Sequence, residues 1–155
     1  MQVKTIAAAL AAVFSVSVYA GECPADKRVA DGQGQKMVSH GAKGVTDDVR
    51  ASVDLAKEPA AIQGRLFRLR ELKVQPGGIV PWHSHNERPA MIYIVSGEIV
   101  EYASNCAVPI VHKPGDVAAE ANGTSHWWQN LGKKPSKLIS VDLLPVADKT
   151  QEKMM

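Results

Sequence analysis

The chain has 155 residues, 45% of them hydrophobic and 22% charged, which suits one globular domain with a core. Its formal net charge is +2, and its lysines and arginines are scattered among acids, as at Arg68-Leu69-Arg70-Glu71. That balance argues against a nucleic-acid partner, because no basic stripe could track a phosphate backbone.

In chain order, Lys4 is followed by an apolar and small-residue run from Ile6 to Val18 and then by Val18-Tyr19-Ala20. This pattern predicts a signal peptide over residues 1–20, cleaved after Ala20, and so a periplasmic or secreted protein. The run is shorter than the ~20 residues of a membrane span, so no stable membrane insertion is expected. Glu22 stands before Cys23, where a lipoprotein signal wants a small residue. In an oxidising compartment Cys23 and Cys106, the two cysteines of the chain, are expected to bond to each other. Two free thiols or an intermolecular bridge are the alternatives.

Residues 21–48, rich in Gly, Lys and Asp, read as a flexible arm in which His40 is solvated. Strands are predicted over 49–55, 65–75, 90–95, 98–103, 107–112, 125–130 and 137–144, with one helical turn near 58–62. In the second strand Phe67 and Leu69 share one face and Leu72 and Val74 the other. That phase slip predicts a β-bulge near Arg70-Glu71. Turns are expected at Pro76-Gly77-Gly78, Ser96-Gly97, Ser104-Asn105 and Pro114-Gly115-Asp116. No window sustains a 3.6-residue period, so the fold class is all-β, a barrel or sandwich over residues 49–146. Residues 147–155 form a polar tail.

His83 and His85 stand two apart in Pro81-Trp82-His83-Ser84-His85, so on a strand they point the same way. His126, in Gly123-Thr124-Ser125-His126, is the third candidate ligand. Three imidazoles suit a divalent transition metal (Fe, Zn, Mn, Ni or Cu) and leave positions for a small-molecule ligand. His112 reads as a strand or surface residue rather than a fourth ligand. No Ser-His-Asp or Cys-His nucleophile and no phosphate-binding Gly loop with a lysine is apparent.

These residues carry a resemblance. Gly77, His83, His85 and Gly97 fit G-x5-H-x-H-x3,4-E-x6-G, and Gly115, Gly123, His126 and Asn130 fit G-x5-P-x-G-x2-H-x3-N. In both, the chain is similar to the cupin superfamily of small β-barrels, and more narrowly to small exported single-domain bacterial cupins. The resemblance implies a double-stranded β-helix (jelly roll) and a metal on His83, His85 and His126. There are two departures: Ala90 stands at the usual glutamate ligand, and Ala121 at the usual proline. Without a carboxylate at 90 the ion keeps its full charge and favours an anionic or chelating ligand. Glu87, in the loop after His85, is the candidate to swing in as ligand or as catalytic acid/base.

Trp82, Arg88, Ile92 and Trp128 are expected around a substrate pocket, with Arg88 at its mouth facing a substrate carboxylate. Trp127 faces away. Met91, Tyr93 and Val95 point outward, where they would support a homodimer. The implied function is a metal-dependent oxygenase, isomerase or lyase acting on a small anionic or oxygenated molecule; some three-histidine cupins are iron oxygenases acting on thiols or diketones. The alternatives are a binding or sensing module and a barrel that holds its metal only for stability.

Overall fold

A computed structural model describes residues 21–146 of the chain. The signal peptide expected over 1–20 and the tail over 147–155 lie outside the described residues. Eight strands are described: β1 (Lys43–Asp54), β2 (Arg65–Ser84), β3 (Ala90–Ser96), β4 (Ile99–Ala103), β5 (Ile110–His112), β6 (Val117–Glu120), β7 (Ser125–Gln129) and β8 (Ser136–Pro145). Two single 3-10 turns, Ala25–Lys27 and Leu55–Lys57, are the helical elements among the described residues. The strands form one curled antiparallel sheet in the order β5-β4-β7-β2-β8-β3-β6, with β1 also paired to β2. This is the all-β barrel architecture expected from the punctuation of short strands.

β2 organises the barrel. Its first half pairs with β8 in unbroken register from Arg65 to Val74, and its second half pairs with β7 from Ile79 to Ser84. The expected break at Pro76-Gly77-Gly78 is therefore a bend inside one long strand. Glycine is required there: a Cβ on Gly78 would lie 2.7 Å from the Gln75 carbonyl oxygen and 2.9 Å from Val74 Cγ1. The strand carries its inward residues past that bend to the imidazoles.

The expected bulge in β2 is also corrected. Arg68, Arg70, Leu72 and Val74 all face inward and are buried, with no change of phase. Opposite Arg70 the register shift lies in β1, between Val49 and Ala51. The apparent slip arose because two arginines occupy inward positions that apolar residues usually fill. β1 begins at Lys43, ahead of the expected start at Val49.

The apolar core is Leu72, Val74, Val80, Ile92, Ile94, Ile99, Ala118, Trp128 and Leu138. β3 alternates as a half-buried strand must: Ala90, Ile92 and Ile94 are buried, whereas Met91, Tyr93 and Val95 are exposed. Cys23 and Cys106 form a disulfide. Around it the N-terminal segment lies on the turn after β4: Val29 N–H donates to the Asn105 carbonyl, Gly34 N–H to Ser104, and Ala107 N–H to Lys27.

Candidate metal centre

The strand register brings the three histidines together. His83 on β2 is the direct cross-strand partner of His126 on β7, and His85 follows one pleat later on the same face. His83 Nε2 and His85 Nε2 each lie 3.1 Å from His126 Nε2. Glu120, at the end of β6, completes the group: its Oε2 is 3.1 Å from His85 Nε2 and its Oε1 is 3.2 Å from His126 Nε2. The four ligand atoms all lie within 4.8 Å of one another.

The opposite ring nitrogens decide what these contacts are. His83 Nδ1 lies 2.9 Å from the Pro81 carbonyl, His85 Nδ1 2.7 Å from the Arg88 carbonyl, and His126 Nδ1 2.6 Å from Glu101 Oε1. Carbonyl and carboxylate oxygens only accept, so each Nδ1 carries the hydrogen and each neutral ring presents a lone pair at Nε2. Three lone pairs and a carboxylate thus converge, too many electron pairs for the one proton that Glu120 and His126 share to separate. A cation resolves that repulsion. Bonds of about 2.1 Å at right angles place neighbouring donors about 3.0 Å apart, and tetrahedral ones about 3.4 Å apart. The four short separations fall in that range, and the donor set fits a divalent transition metal.

Burial shapes the protonation of the metal-free cluster. It is the largest influence on His83 and His85, reinforced by His126; it holds His83 well below the usual imidazole value and His85 at about 3. Burial also raises Glu120 to about 7. For His126 burial is again the largest single influence and favours the neutral ring, but Glu120 and Glu101 outweigh it and its pKa is raised. The His126–Glu120 pair therefore shares a proton near neutrality, which a metal ion would displace.

Glu101 behaves in the opposite way. Burial favours its neutral form, but hydrogen bonds from His112 and His126 prevail and hold it at about 2. It accepts from His126 Nδ1–H with one oxygen and, at 2.8 Å, from His112 Nε2–H with the other. His112 is fully buried and stacked on Trp128, with ring centroids 4.5 Å apart. A carboxylate behind a ligating histidine fixes its tautomer and orientation. The expectation that His112 is only a strand or surface residue missed this line of support, since β4–β5 pairing, absent from the local sequence, is what sets His112 beside Glu101.

Glu87 is corrected as the carboxylate of the site. Its side chain is exposed, and its backbone carbonyl accepts from Arg65. Glu120 stands there instead, directly across the β3–β6 pair from Ala90. The carboxylate missing from position 90 is supplied by its neighbour across the strand, and the alanine leaves room for it. A lone acid on the inward face of Val117-Ala118-Ala119-Glu120 was the available signal. Arg88 is likewise not at a mouth: it is buried, and its Nη1 lies 3.4 Å from Asp142 Oδ2.

Beside the cluster a cleft with about 330 Å³ of empty space, its open mouth included, is lined by Arg70, Leu72, Val80, His83, Ile92, Glu120, Trp128 and Leu138. Ile92 and Trp128 line it; Trp82 is half-buried and does not. Trp128 directs its indole N–H at the His126 ring, and Trp127 faces the other way, stacked on Tyr102. Arg70 is the cationic wall. Its Nη1 meets Asp47 at 2.5 Å, its Nη2 meets Ser140 Oγ at 3.1 Å, and Asp142 pairs with Arg68, Arg70 and Arg88 together.

Residues 70–142 match the cupin domain family. The chain is 34% identical over 102 residues to the oxalate-binding protein of Thermotoga maritima, covering 66% of this chain and 81% of that one. The chain belongs to the cupin family. Among solved structures it is similar to a predicted oxalate decarboxylase from Thermotoga maritima, with a TM-score of 0.53 and 21% identity over 79% of this cupin and 98% of that chain. It is also similar to KdgF from Halomonas sp., with a TM-score of 0.51 and 16% identity over 71% and 93% of the two chains. Both likenesses concern the barrel fold.

Proposed function

We propose that this cupin is an exported protein that holds a divalent transition metal on His83, His85, Glu120 and His126 and uses it to bind a small oxygen-rich anion of the oxalate class. The observation that carries the metal is the convergence of three Nε2 lone pairs and a carboxylate at 3.1–3.2 Å. The anion follows from charge. The inward face sets three guanidiniums (Arg68, Arg70, Arg88) against Asp47 and Asp142, and Glu120 brings that count to neutrality. A divalent ion then leaves the region positive even with Glu101 included. Apolar walls at Leu72, Ile92 and Trp128 limit the ligand to a compact molecule with its polar atoms at one end. The relative named for oxalate binding supports the same ligand class.

When bound, the metal would act as a Lewis acid toward the anion's oxygens. The chain's own contribution is to orient the three rings through Pro81, Arg88 and Glu101, to exclude water with apolar walls, and to present Arg70 to a carboxylate. Export is supported by the pattern of residues 1–20 and by the Cys23–Cys106 disulfide, which suits an oxidising compartment. The exposed Met91, Tyr93 and Val95 support self-association through the outer face of β3, for which Met91→Glu, read by light scattering, is the test.

The metal-and-anion reading is tested by elemental analysis of the protein as purified, followed by calorimetric titration with oxalate. Saturable oxalate binding that needs the metal and is lost in His126→Ala is expected; binding that survives chelation would overturn it. A second reading, turnover of the lyase, isomerase or oxygenase type, is favoured by Glu120. Its carboxyl group lines the cleft beside the three histidines, and with the metal held by the rings alone it would be the nearest group to accept or return a substrate proton. Product detected by mass spectrometry and absent in Glu120→Gln would establish it.

A further inference from the structure

Gly21 is buried against the turn that follows β5. A Cβ on it would lie 2.9 Å from Asp116 Cβ and 3.1 Å from His112 Nδ1, and its φ is +87°. The position therefore accepts glycine and resists any other residue. The Cys23–Cys106 disulfide, two residues on, pins it there.

The atom it faces is anomalous. His112 Nε2 donates to Glu101, so in the neutral ring Nδ1 carries a lone pair. That nitrogen is fully buried and has no hydrogen-bond partner among the described residues. A buried acceptor without a donor is costly, and such atoms are rare. Asp116, beside it, accepts from Lys113 N–H through Oδ2 and brings a negative charge to the same corner. The corner thus offers one lone pair and one carboxylate, the requirements of an ammonium group. In the continuous chain Gly21 contributes a single uncharged N–H, and that N–H does not satisfy Nδ1.

We propose that cleavage after Ala20 completes this corner: the new α-ammonium of Gly21 docks on Asp116 and donates to His112 Nδ1. The inference rests on the export reading above. Its consequence runs inward, because His112 holds Glu101 and Glu101 holds His126. Processing would thereby fix the orientation of a candidate metal ligand.

The test begins with the protein exported by its own leader. An intact mass beginning at Gly21 is expected, and a different mature start would overturn both the cleavage reading and the docking. The mature protein is then compared with a form carrying one alanine ahead of Gly21, each with and without Asp116→Asn, which keeps an oxygen for Lys113 N–H. In the Gly21-initiated form Asp116→Asn should lower Tm by roughly 3–6 °C, and in the extended form by less than about 1 °C. Equal shifts would overturn the docking while leaving the cleavage intact. Selective acetylation of the α-amine reads the same contact without a substitution: a drop in Tm of similar size is expected, and no drop overturns the proposal.

Discussion

Two buried polar regions lie side by side on the inner face of this barrel and differ in kind. Around Asp142, charges close on one another: Arg68 meets it in a two-pronged pair at 3.0 and 2.8 Å, and Arg70 and Arg88 each approach to 3.4 Å. Around Glu120, three Nε2 lone pairs and a carboxyl group face a common point, with a single proton shared by Glu120 and His126 among them. The first region pairs its charges within the protein and acts mainly as structure, with Arg70 also lining the cleft. The second gathers electron-pair donors in the arrangement that suits a cation. Burial alone does not mark a functional site; a group of buried atoms whose chemistry is unfinished does.

The largest expected effect breaks the closed region. Asp142→Ala leaves three guanidiniums facing Asp47 alone, and should cost about 3–5 kcal/mol of stability in chemical denaturation, with or without metal. A loss that added metal restores would mean that the two regions are not independent.

Next, pH acts on the open region. Glu120 releases its proton at about 7 in the folded metal-free protein, against an ordinary value of 4.5. Between those values the folded state holds the proton more tightly than the unfolded state. Metal-free stability should therefore fall as pH rises from about 4.5 to about 7, by up to about 3 kcal/mol. Glu120→Gln, or saturating metal, should flatten that slope in thermal melts. A slope unchanged in Glu120→Gln would assign it to another group.

The support behind the open region carries a smaller effect. Glu101→Gln keeps the shape but replaces one accepting oxygen with an amide, and should weaken metal binding by about 10–100-fold in competition with a chromophoric chelator. The smallest effect is expected at Glu87. Glu87→Ala should change metal affinity by less than about twofold, because the side chain is exposed and stands apart from the donor group. A larger loss would restore Glu87 to the site.

Much of this was legible in the amino-acid order. Period-two alternation in Ala90–Val95 and Gly/Pro punctuation are local properties, and they announced a barrel of short strands. His83 and His85 share a face because of backbone pleating alone, and two glycine-framed motifs tied His126 to them. What the sequence hid depends on which strands become neighbours. Ala90 stands opposite Glu120 only because β6 pairs with β3, and Arg70 reads as a surface residue until β1 and β8 bring Asp47 and Asp142 beside it. A strand's own sequence dictates which residues share a face, whereas the carboxylate that meets a given histidine is chosen by long-range pairing.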